Sequence, residues 1–233
     1  FEQLNIKKKL NVDDLGYLIG PILNSGGRLG YSSYATELLT SKNPTITKKR
    51  SVELIKLNNK RKELEQNTLN KIDFNKIENE NKNVIIYFNP NINEGLIGII
   101  ASRLKDHFGK PSIVITRSKN TFKGSARSTL NYNIGYLIKS LFDNKIIEKG
   151  GGHNMAAGFT IKKNNIEILN DFIQKDYSNK ISNFQNIYEY DSEISSSTIN
   201  RNFINEIHKL GPFGNGNFLP IFLIRNLKII KIN

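Results

Sequence analysis

Apolar residues recur along this chain in two rhythms. From Thr45 to Ile72 they fall at Val52, Ile55, Leu57, Leu64, Leu69 and Ile72 among many charges. That spacing predicts one long helix with a thin apolar stripe and a wet surface, suited to connecting two domains rather than to filling a core. After the polar run "NENKN" the rhythm changes. Val84–Phe88 and Ser112–Thr116 are continuous apolar runs, as strands covered on both faces would be. Between them Ile97, Ile100, Ala101, Leu104 and Phe108 share one helical face, which Gly109 ends and Pro111 cannot continue. Strand, helix, strand predicts a βαβ-like unit. "TFKGSARST" predicts an edge strand or hairpin arm, "YNIGYLIKSLFD" a helix, "FTI" a short strand and "NNIEILNDFIQKDY" a further helix. Together they predict a compact α/β domain over residues 80–178.

The flanking regions read differently. Residues 11–40 predict two short helices, capped by Asn11 or Asp13 and by Ser32 or Ser33, around the loop "GPILNSGGRLG", whose glycines argue against regular structure. Beyond residue 185, "NIYEYDSEIS" has strand character, and Ile199, Phe203, Ile207 and Leu210 share a helix face. "GPFGNGN" is a turn cluster, and "PIFLIRNLKIIKIN" predicts one or two strands. Two strands cannot bury both faces alone, so the sequence is expected to stop inside a β domain.

Composition narrows the class. The 233 residues are enough to bury a core, and 38% apolar content suits a soluble globular protein. No apolar run approaches the roughly 20 residues of a membrane span, and "FEQLNIKKKL" has no apolar core of a signal peptide behind its basic cluster. The chain has no cysteine, which excludes disulfides and thiolate metal sites and is compatible with a reducing, cytoplasmic setting. A net charge of +13 favours a polyanionic partner. Most of the basic residues are lysines in an Asn- and Ile-rich chain, so the charge alone does not separate nucleic-acid binding from compositional bias.

Three segments share one chemistry. "LNSGGRLG" places Asn24 and Arg28 around two glycines; "KGSARST" places Ser125 and Arg127 two apart; "GGGHN" puts His153 behind Gly151 and Gly152. Residues two apart on a strand point the same way, so Ser125 and Arg127 would project from one face. Glycines allow close approach of a ligand to the backbone, Arg offers a planar charged fork for phosphate oxygens, and Ser and His add donors. The three loops together read as a phosphate clamp. They offer no carboxylate cluster for a divalent metal.

In order, "GPILNSGGRLG", "NEGLIGIIASRL", "KGSARS", "GGHNMAAGF" and "LGPFGNGN" resemble the RecJ single-strand-specific exonucleases, within the DHH/DHHA1 phosphoesterase superfamily. The resemblance implies an α/β chain with the end of a DHH domain (1–43), a connector helix (44–79), a DHHA1 domain with a mixed sheet (80–178) and the start of a truncated OB-fold (185–233). It implies a 5′→3′ single-stranded DNA exonuclease of recombination and repair, with Mn²⁺ or Mg²⁺ held by a DHH domain and substrate phosphates gripped by DHHA1. The Asp-His-His triplet is absent from this sequence. The metal ligands are therefore expected upstream of residue 1, the chain's own residues are expected to bind no metal, and the fragment alone is expected to be inactive. By the same resemblance Asn24, Arg28, Ser125, Arg127, Gly151, Gly152 and His153 are substrate-binding residues, single-stranded DNA is the partner, no membrane is involved, and single-strand-binding protein and a RecQ-type helicase are further partners. Asn93 stands where the family usually has His, and "FLP" replaces its usual Pro-Glu-Pro. Two other readings stay open: a DHH-type phosphodiesterase acting on oligoribonucleotides or cyclic dinucleotides, and a non-catalytic single-strand-binding module.

Overall fold

Ile113, Ile115, Phe122, Phe159 and Ile161 lie together in one core, so the apolar runs of the middle third are indeed neighbouring strands. The computed structural model describes residues 2–7, 10–180, 189–214 and 216–228. The described residues fall into two compact units, one from 2–5 and 21–180 and one from 6–20 and 189–228.

The first unit is built on a mixed five-stranded sheet in the order β1-β2-β3-β5-β4. β1 (Ile85–Phe88) and β2 (Ser112–Ser118) are parallel and joined by α5 (Ile97–Phe108), the βαβ unit that the apolar pattern predicts. β3 (Thr121–Arg127), β5 (Ala156–Ile161) and β4 (Lys149–His153) continue the sheet antiparallel. β3 is the middle strand of the five rather than an edge. In β3 and β5 buried residues alternate with accessible ones, so one face is covered and the other open. The covered face packs against α6 (Ile134–Asp143) and α7 (Ile166–Lys180). On the opposite face α5 covers β1 and β2 through Ile97, Ile100 and Leu104 against Ile85 and Val114.

Two glycine-rich stretches expected as loops are regular structure. "GPILNSGGR" is helix α1 (Gly20–Arg28). Glycine inside a helix costs about 1 kcal/mol relative to Ala, so tertiary packing has to supply the difference. Buried Ser25 shares its hydroxyl proton between the carbonyls of Ile22 (2.6 Å) and Leu54 (3.1 Å), and a Cβ on Gly26 would sit 2.6 Å from the Tyr31 carbonyl oxygen. Small residues thus seat α1 directly on α3 (Pro44–Leu69), which also packs α2 (Ser33–Thr40). "KGGGH" is the edge strand β4. A Cβ on Gly150 would lie 2.6 Å from Ile138, and one on Gly152 would lie 2.4 Å from the Ala156 carbonyl oxygen. Those two glycines let strand and helix close up, while Gly151 has nothing within 4 Å.

Asn43 caps α3 by accepting from the Thr45 N–H at 2.9 Å, with Pro44 opening the helix. Its buried face is mostly polar: Leu54, Asn58, Arg61 and Glu65. Arg61 donates to Glu65 (2.7 Å) and to Asn58 (3.0 Å), and Glu65 also accepts from Arg103 of α5 (2.8 Å). An ionic network therefore holds this helix in place where the apolar stripe is thin. α4 (Phe74–Asn79) follows, capped by Asp73.

In the second unit β6 (Ser192–Glu193) and β7 (Phe222–Leu223) pair in parallel, and α8 (Arg201–Lys209) sets Phe203 against Phe222, ring centroids 5.3 Å apart. None of this unit's described residues is buried. The strand expected over the last residues falls partly on 229–233, outside the described residues. No helix among the described residues is long and apolar enough to cross a membrane.

Candidate functional site

The open face of β3 presents Ser125 and Arg127 side by side, as the two-residue spacing requires. The last turn of α1 brings Asn24 and Arg28 to the same place, and the first turn of α5 closes it. Asn24, Arg28, Gly95, Gly98, Ser125 and Arg127 line one cavity of about 520 Å³.

Glycine makes this closure possible. Arg28 donates from Nη1 to the Gly95 carbonyl at 3.0 Å, and a Cβ on Gly95 would lie 2.0 Å from the Arg28 carbonyl oxygen. α1 and α5 thus meet backbone to backbone. A Cβ on Gly98 would lie 2.8 Å from Arg127 Nη2 and 3.1 Å from Ser125 Oγ, so its absence leaves room for the guanidinium beside the start of the helix. Arg127 Nη1 donates to the Ala126 carbonyl (2.8 Å) and to Ser125 Oγ (3.2 Å). Asn93 accepts the Gly95 N–H at 2.8 Å and shapes the turn into α5.

The electrostatics favour an anion. Among the described residues no carboxylate lies within ion-pair distance of Arg28 or Arg127. Glu94, at the rim, is taken up by the Ser118 hydroxyl (2.6 Å) and Lys123 (3.0 Å), which hold its carboxyl below the usual range. Burial pushes the Arg28 pKa down, and nearby Arg61 pushes it further, against a smaller opposing pull from Glu65. Burial likewise lowers Arg127, and Arg28 adds to it. Two partly desolvated guanidinium groups that repel one another across a shared space are stabilised by a bound anion. Ile97 and Gly98, the first two residues of α5, line the same cavity, at the end of a helix that favours negative charge.

Gly151, Gly152 and His153 do not line this cavity. They border a second one, of about 420 Å³, along β4 and α6. Register links the two. Arg127 pairs with Ala156, and Ala156 pairs with His153, so all three project from the same open sheet face. At the usual strand spacing the outer two Cα atoms are about 10 Å apart. The next row on that face is Ser125, Gly158 and Gly151, which leaves an almost bare backbone floor. His153 Nδ1 lies 3.3 Å from the Met155 N–H and 3.4 Å from Asn154 Oδ1, accepting from the first or donating to the second according to tautomer.

Sequence reasoning used "NEGLIGIIASRL" as a family motif but gave no binding role to Gly95, Gly98 or the start of α5. The available signal was two glycines at the opening of an otherwise apolar helix, a costly choice unless something must come close. Arg103 of α5 is ion-paired to Glu65. Among the described residues no three His, Cys, Asp or Glu side chains gather as a metal ligand set.

Residues 81–179 match the DHHA1 domain and residues 190–233 the RecJ OB domain. The single-stranded-DNA-specific exonuclease RecJ of Bacillus subtilis is 30% identical over 221 residues, covering 93% of this chain and 28% of that protein. RecJ of Haemophilus influenzae is 30% identical over 221 residues, covering 90% of this chain and 38% of its own length. The chain therefore spans well under half the length of these relatives. The crystal structure of RecJ from Thermus thermophilus in complex with Mn²⁺ shares the fold, with a TM-score of 0.80 at 22% identity, covering 94% of this chain and 32% of that one. With a DHHA1 domain followed by a RecJ OB domain, the chain belongs to the RecJ family of the DHH/DHHA1 superfamily.

Proposed function

We propose that this chain is the phosphate-gripping part of a metal-dependent single-stranded-DNA exonuclease that acts in DNA recombination and repair. The observation that carries this reading is the pairing of Arg28 and Arg127 in one cavity whose lining carboxylate, Glu94, is engaged by Ser118 and Lys123, with no ion pair to either arginine among the described residues. Ser125, Asn24 and the start of α5 supply neutral donors around the same space, a set suited to phosphodiester oxygens. His153 extends the grip along the open sheet face. The described residues offer no ligand set for the Mn²⁺ or Mg²⁺ of such an enzyme, so the hydrolytic step belongs to residues other than these, and the chain alone binds its strand without cutting it. Contacts with single-strand-binding protein and a RecQ-type helicase form part of the same proposal.

The test is single-stranded DNA affinity across a salt series. Replacing Arg28 or Arg127 by Ala is expected to weaken binding about tenfold or more, because each removes a charge-assisted contact. Each should also make the log–log salt slope shallower by about 0.7, the value for one phosphate released. Unchanged affinity and slope in both variants would sink the clamp. In a Mn²⁺-supplemented exonuclease assay the unmodified chain is expected to show no turnover, and turnover would overturn the assignment of chemistry elsewhere.

A further inference from the structure

The cavity along β4 has a wall that phosphate binding does not use. α6 buries Ile134, Leu137, Ile138 and Leu141 in the core and turns Tyr136, Lys139 and Phe142 toward this cavity at intervals of three. Tyr136 is 69% exposed and Phe142 51%. The Tyr136 hydroxyl has no hydrogen-bond partner, its ring packs on no other ring, and Lys139 forms no ion pair among the described residues. Facing them is the glycine backbone of β4, with no side chain until His153.

We propose that this wall is a base-stacking subsite, where a nucleobase of a single strand lies on the Tyr136 ring while its phosphate is held by His153 and Lys139. The inference rests on the phosphate-clamp reading and extends it in space. The row Arg127, Ala156, His153 leads across the open face to the edge of the sheet, and His153 borders the aromatic cavity where that row ends. A strand whose phosphates follow the row reaches the β4 edge at His153 and turns over that edge to meet Tyr136 on the α6 side. The cavity, about 420 Å³, falls within the common range for small-ligand sites and is too shallow in aliphatic side chains to select an apolar peptide. An exposed ring beside cationic groups is the usual platform for single strands, because every base offers a π-face.

The chain contains no Trp, so Tyr136→Trp installs a single reporter. Its fluorescence is expected to be quenched by a short oligodeoxynucleotide, and not by an abasic oligomer of equal length or by inorganic phosphate. Tyr136→Ala should weaken oligonucleotide binding about tenfold with the salt slope unchanged, and Tyr136→Phe should restore it. Tyr136 is exposed, so neither change threatens folding. If Tyr136→Ala binds like the unmodified chain, or the abasic oligomer quenches equally, stacking here is wrong, while the phosphate clamp stands or falls separately on the Arg127→Ala slope.

Discussion

The two ends of one sheet row solve the same task in opposite ways. At one end Arg127 is half-buried, held by the Ala126 carbonyl and Ser125, and faced by Arg28. At the other, His153 stands exposed on an edge strand, oriented by its near neighbours Asn154 and Met155. The enclosed end is organised before any ligand arrives, and desolvation makes its charges count for more. The exposed end lacks that enclosure, and water screens what it offers. If the proposed strand follows this row, its affinity should therefore reside mainly in the arginine cavity.

Glycine substitutions give the largest test of that contrast. Gly95→Ala places a methyl group 2.0 Å from the Arg28 carbonyl oxygen, and backbone cannot move aside cheaply. It is expected to lower stability by about 3 kcal/mol in urea denaturation. Gly151→Ala, with nothing within 4 Å, should stay within about 0.5 kcal/mol of the unmodified chain. Equal losses at the two positions would erase the distinction between a closed and an open end. Gly98→Ala sharpens it further. Its Cβ would meet the mobile end of Arg127 at 2.8 Å, so the fold should survive while the guanidinium is displaced. Single-strand affinity should drop severalfold with little change in melting temperature. The smallest loss of affinity is expected for His153→Ala, about threefold, as for one exposed hydrogen bond. A loss at His153 larger than that at Arg127 would reverse the ranking.

Local pattern accounts for much of this fold. The apolar runs at Val84–Phe88 and Ser112–Thr116 became β1 and β2, and the stripe from Ile97 to Phe108 became α5, because in each case periodicity and burial agree. It failed where glycine was read as a loop marker. α1 and β4 are glycine-rich because partners approach too closely for a Cβ, and no local propensity records that approach. The same blindness hid Gly95 and Gly98. In α3, the polar residues Asn58, Arg61 and Glu65 belong to what the sequence pattern reads as a wet surface, and only packing against α5 shows them as a buried network.

Sequence alone determined the type of most elements and, through the period of a strand, that Ser125 and Arg127 share a face. It also supplied the ordered motifs that point to the family. Only the tertiary structure decided that Arg28 joins Arg127 in one cavity while His153 borders another. That outcome depends on how α1, α5 and β3 pack, and side chains far apart in the chain meet only when the non-local contacts of the core bring their backbones together.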